Sequence, residues 1–90
     1  MSESIKWRGH EIPRDVNGWT LSAPGFAVTV YEPTDSHPGE FGALVQIAGG
    51  PAGYGEHADA IAALNIAGKE LADFFSEMRG HIKQLLGEES

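Results

Sequence analysis

The last third of the chain repeats apolar residues in steps of three and four, and no proline interrupts it. Ile61, Leu64, Gly68, Leu71, Phe75, Met78, Ile82 and Leu85 form one stripe, the signature of a helix that packs along one face. The pattern begins near residue 57 and runs to about 86. At 1.5 Å per residue such a helix is roughly 45 Å long, whereas strands of five or six residues span only about 17–20 Å. A sheet built from the preceding residues cannot cover it all. The spacing therefore predicts an overhang, where Phe74, Phe75, Met78, Ile82, Leu85 and Leu86 face water unless something covers them. Two outcomes are open. The a/d spacing can make the overhang a self-association or partner interface, a homodimer being the simplest form. Alternatively the helix breaks at Gly80 and its tail folds back on the core; Gly68 and Gly80 each weaken a helix by roughly 1 kcal/mol relative to alanine.

Before the helix the period is two. Ile5 to Arg8 alternates and predicts a first strand that ends before Pro13. Asn17-Gly18 is a turn signal, after which Trp19-Thr20-Leu21-Ser22 alternates again. Pro24-Gly25 suits the centre of a type II turn. Phe26, Val28 and Val30 then share one strand face, and Phe41, Ala43, Val45 and Ile47 share another. Between them lies a polar loop, EPTDSHPGE, residues 32–40. The expected fold is α+β: a three- or four-stranded antiparallel meander within about 5–48, followed by one long helix, about 57–86, packed across it. Ninety residues suit one domain with one modest core.

The glycine-rich segment GGPAGYGEHA, residues 49–58, invites a phosphate-binding reading that its details reject. Gly50 and Gly55 have P-loop spacing, but Glu56 and His57 stand where Lys and Ser or Thr are needed. Gly53-Tyr-Gly55-Glu-His-Ala58 fits the dinucleotide fingerprint, yet no strand follows the helix to make a βαβ unit. The simpler expectation is a strand-to-helix corner, with Glu56 and Asp59 placing negative charge on the positive end of the helix.

No other constellation names a chemistry. His57 and His81 would sit about 36 Å apart on one helix, too far to share an ion, and no H-E-x-x-H spacing occurs. Asp35-Ser36-His37 has triad letters, but consecutive residues do not make triad geometry. Lys6-Trp7-Arg8 is basic and aromatic but short, and Trp7 is expected in the core. We therefore expect no catalytic residue, no metal and no cofactor. Cysteine is absent, so no disulfide or thiolate zinc site holds the fold. The opening residues MSESIKWRGHEIPRD lack a signal-peptide apolar stretch, and no run reaches membrane-span length. A cytoplasmic location without membrane contact is the expectation.

Charge is the strongest functional signal. Six Lys and Arg stand against 13 Asp and Glu, a formal net charge of −7. Between Asp15 and Gly68 there is no Lys or Arg at all. Phosphate backbones are held mainly by such residues, so direct nucleic-acid binding is disfavoured; the charge either favours a cationic protein surface as partner or only keeps a small protein soluble. Glu32, Asp35 and Glu40 on the long loop, with Glu56 and Asp59 near the helix start, are the candidate partner contacts. Phe74, Phe75, Met78, Ile82 and Leu85 are the candidate self-association residues.

Two formats are similar. Strands followed by YGEHADAIAALNIAGKELADFF resemble the layout of HicB-type antitoxin domains, without that family's proline-glycine-cysteine strand signature. The base-free stretch Asp15–Gly68, together with Glu70, Asp73 and Glu77, resembles small acidic phage anti-defence proteins of the anti-CRISPR kind. That resemblance implies a non-enzymatic inhibitor that binds a nucleic-acid-handling effector complex and blocks it, sometimes by mimicking the charge of DNA. A structural or assembly protein working through the apolar helix face is the competing expectation.

Overall fold

The computed structural model describes residues 4–87. Seven strands and one helix follow in order: β1 (Ile5–Trp7), β2 (His10–Ile12), β3 (Arg14–Asp15), β4 (Gly18–Ala23), β5 (Phe26–Tyr31), β6 (Phe41–Ile47), β7 (Ala52–His57) and α1 (Ala60–Leu85). Strands β3 to β7 form one antiparallel meander in sequence order, and β1–β2 form a separate two-stranded hairpin. The fold is α+β, as the change of period implies. The sheet has five strands rather than three or four, and the hairpin adds two.

Register sorts the side chains into two faces. Trp19, Val30, Ala43 and Gly55 lie in one cross-strand row, and Leu21, Val28, Val45 and Gly53 in the next. This face is covered, by α1 over β6 and β7 and by the hairpin, whose β2 packs on β4 and whose His10 meets Phe26 of β5 edge to face. Val28, Val30 and Ala43 are essentially inaccessible there, together with Ile12 of β2 and Ala63, Leu64 and Ala67 of α1. Trp7, Val45 and Leu71 complete the core.

The glycine segment is not a strand-to-helix corner. Residues 48–51 turn the chain, with Gly49 at φ 69°, and Ala52–His57 then forms the edge strand β7. Gly53 and Gly55 point at the helix with no side chain between. A Cβ on Gly55 would lie 2.6 Å from the Ala63 carbonyl oxygen, and one on Gly53 would collide with the carbonyl oxygen of Ala67. The helix therefore rests on β7 backbone to backbone, which is what glycine in a strand commonly marks.

Helix α1 starts three residues later than the period suggests. His57 belongs to β7, and Asp59 is the N-cap, its Oδ2 accepting from the Ala62 N–H at 3.1 Å. His57 Nδ1 accepts from the Asp59 N–H at 3.1 Å, which ties the end of β7 to the cap. Glu56 lies on β7 rather than on the helix start, so of the two acids only Asp59 serves the helix end. Glu70 Oε1 accepts the Tyr54 N–H at 2.6 Å; it occupies a backbone donor on an edge strand that would otherwise be open to further pairing.

The helix does not break at Gly80. It buries residues only as far as Leu71, and residues 72–87 are all exposed, giving a molecule 53 Å long against 27 and 20 Å in its other dimensions. A Cβ at Gly80 meets nothing within 4 Å. Gly80→Ala is therefore expected to raise stability by up to about 1 kcal/mol, read as a higher urea midpoint with an unchanged m-value.

Candidate functional site

The second face of the sheet is open. Its central rows run Gly18, Tyr31, Gly42 and Glu56, then Thr20, Thr29, Leu44 and Tyr54. Every one of these residues lies within the stretch that has no Lys or Arg. Asp15, paired with Gly18 on β3, sits at the far side of the same face.

The negative charge concentrates where β7 ends beside the β5–β6 loop. Tyr54 lies over Gly42, where an added Cβ would stand 2.5 Å from its hydroxyl oxygen. That hydroxyl donates to Glu56 Oε2 at 3.0 Å, and His37 Nε2 of the loop is 3.6 Å from the same carboxylate. Burial pushes the Tyr54 hydroxyl above its ordinary value. The hydrogen bond and charge of Glu56 add to this, with smaller contributions from Tyr31 and Glu40. The tyrosine thus stays protonated and donates to the Glu56 carboxylate.

The five acidic candidates are not equivalent. Glu56 holds the Tyr54 hydroxyl at 3.0 Å, and Asp35 and Glu40 are exposed on the β5–β6 loop. Glu32 is turned to structural use: its Oε2 is 2.6 Å from Arg14 Nη2, whose guanidinium stacks 4.6 Å from the Trp19 ring centroid. Asp59 is engaged in the helix cap. Nothing in the local sequence signals the Glu32–Arg14 pair, which forms because β3, β4 and β5 lie side by side and Glu32 follows directly on β5.

Phe74, Phe75, Met78, Ile82 and Leu85 are 43%, 39%, 36%, 48% and 83% exposed, fractions large enough to leave each available for contact. Phe75, Met78 and Ile82 line a shallow groove with Arg79 and Lys83.

A third surface was not anticipated. Trp7 closes an apolar cleft between hairpin and sheet, floored by Val28, Val45 and Ile47 and edged by Arg8 and His10. Its only sequence trace is the Trp7-Arg8-Gly9-His10 turn, in which Arg8 and Gly9 both take positive φ, 52° and 82°, as a two-residue type I′ hairpin requires.

Among the described residues no cluster of three or more His, Asp and Glu has metal-binding geometry. No helix among them is long and apolar enough to cross a membrane. The architecture defines a class, an α+β meander with one face covered by a helix and a hairpin and the other open. No family model, curated protein or solved structure matches the chain.

Proposed function

We propose that the chain is a non-enzymatic binding protein that sets the open, acidic face of its sheet against a basic surface of a nucleic-acid-handling partner and occludes it. One observation carries this reading. The uncovered rows of the sheet come wholly from residues 15–57, which contain no Lys or Arg, with Glu56 at one end against Tyr54 and within 3.6 Å of His37 on the loop that carries Asp35 and Glu40. Such a surface attracts a cationic partner and repels nucleic acid itself. The anti-CRISPR-like format implies the same action, blocking an effector by taking the place its DNA would occupy.

The test is capture of basic proteins at low salt by the intact chain and by the triple variant Asp35→Lys/Glu40→Lys/Glu56→Lys. Glu32 is left alone because reversing it would set a lysine against Arg14. Reversal is expected to weaken binding at least about tenfold, mainly through slower association, with the circular dichroism spectrum unchanged. DNA is expected to compete for the same captured partner. Equal capture by the variant, or capture insensitive to salt, would remove the acidic face from the reading. The second reading, an assembly protein, is favoured by the exposed apolar residues of the helix. Apolar association persists at ionic strengths that screen surface charge.

A further inference from the structure

We infer that the free end of α1 pairs with the same segment of a second copy, antiparallel, about a two-fold axis at Met78. This does not rest on the acidic-face reading, because the two surfaces share no residue. Leu64, Leu71, Met78 and Leu85 are seven residues apart and so drift only about 20° per step on a straight helix. The first two are buried under the sheet, while Met78 and Leu85 continue the same face beyond its edge, exposed. The face that the sheet covers in the first half is left without a cover in the second.

Charge selects the cover. Within the free end Asp73 and Glu77 precede Arg79 and Lys83, so it is acidic toward the sheet and basic beyond Met78, with Lys69 one turn earlier paired to Asp73 at 3.1 Å across an exposed surface. The pattern is also nearly symmetric about Met78. Turning a second copy through the two-fold sets Phe74 opposite Ile82, Glu77 opposite Arg79 and Asp73 opposite Lys83, all of them exposed. Parallel pairing would instead place like charges side by side. It would also drive the two bodies together, because the shared apolar face is the one from which each sheet projects, and packed helices stand only 8–10 Å apart. In the antiparallel pair each helix ends beside the point where its partner's sheet begins, after Leu71, and the bodies lie at opposite ends. The arrangement is isologous and closes at two copies.

The absence of cysteine makes the axis directly measurable. The chain is expected to elute and scatter as a particle of twice its 9.6 kDa mass at both low and high salt. Met78→Glu brings two carboxylates together on the axis. It is expected to weaken dimerisation at least 100-fold while circular dichroism reports a folded body. Met78→Cys is expected to oxidise rapidly to a disulfide-linked dimer. Leu85→Cys is not, since its two copies would stand about 21 Å apart along the axis by the helical rise. Equal cross-linking at both positions would show a parallel pair and overturn the inference. A monomer across the concentration range, or continued growth beyond two copies, would overturn it as well. Loss of dimer in Met78→Glu with capture of a basic partner intact would separate this inference from the proposed function.

Discussion

Gly53→Ala is expected to be among the most damaging single-methyl additions in the protein. A Cβ there runs into the carbonyl oxygen of Ala67 and comes within 2.8 Å of the Leu71 amide nitrogen and 3.1 Å of the Leu71 Cβ. Two of those atoms belong to the helix backbone, so trimming helix side chains cannot relieve the clash. The helix must lift from β7, and lifting it opens the core around Ala63, Leu64 and Ala67, all of which are inaccessible to solvent. Overpacking of this kind costs about 1–3 kcal/mol, and a rigid backbone places this site toward the upper end. For a domain of this size that corresponds to a fall in melting temperature of about 10–20 °C. Gly50→Ala is the control: it lies in the same glycine segment without positive φ, and its nearest neighbour would be the Ile47 side chain at 3.4 Å. Its melting temperature should stay close to that of the unchanged protein. Equal losses at both positions would mean that the segment needs flexibility rather than close contact.

That contrast explains what could be read from the sequence. Strands β5 and β6 announce themselves because Phe26, Val28, Val30 and Phe41, Ala43, Val45, Ile47 alternate with polar or small neighbours, Leu44 excepted. The Pro24-Gly25 turn is equally plain, with Gly25 at φ 100°. The overhang follows from arithmetic on helix and strand lengths. Strand β7 escapes because its buried positions are Gly53 and Gly55, which carry no hydropathy, while the outward Tyr54 is its largest residue. The helix contact is hidden for the same reason, since Ala63 and Ala67 rather than larger residues meet those glycines. A glycine pair at period two facing alanines four apart was the available signal. The acidic site was only half legible. Composition locates the base-free stretch, but Tyr54 and Glu56 share a face only once residues 52–57 are a strand, and only the pairing of β3, β4 and β5 sets Glu32 beside Arg14.

Trp7→Ala is expected to cost about 3–5 kcal/mol, a large part of the stability of a domain this small. The ring is 8% exposed, and it packs against Gly68, where an added Cβ would stand 3.2 Å from it. Its Nε1 donates to Asn65 Oδ1 at 2.8 Å. Strands β1 and β2 are three residues each, too short to persist as an isolated hairpin in water, so their order depends on the anchors Trp7 and Ile12. Hydrogen exchange should show amide protection lost first across residues 5–12 and then throughout the core. Trp7→Phe separates the two contributions: it keeps most of the apolar area, and water can replace the lost donor at the exposed Asn65, so the cost should be only about 1 kcal/mol. The hairpin covers the inner face of the sheet, while Glu40, Glu56 and Tyr54 lie on the other, and Met78 lies out on the free end of the helix. Trp7→Phe should therefore leave both partner capture and dimerisation unchanged. A loss of either in a folded Trp7→Phe protein would move that surface onto the Trp7 cleft, where Arg8 and His10 would receive an anionic rather than a cationic partner.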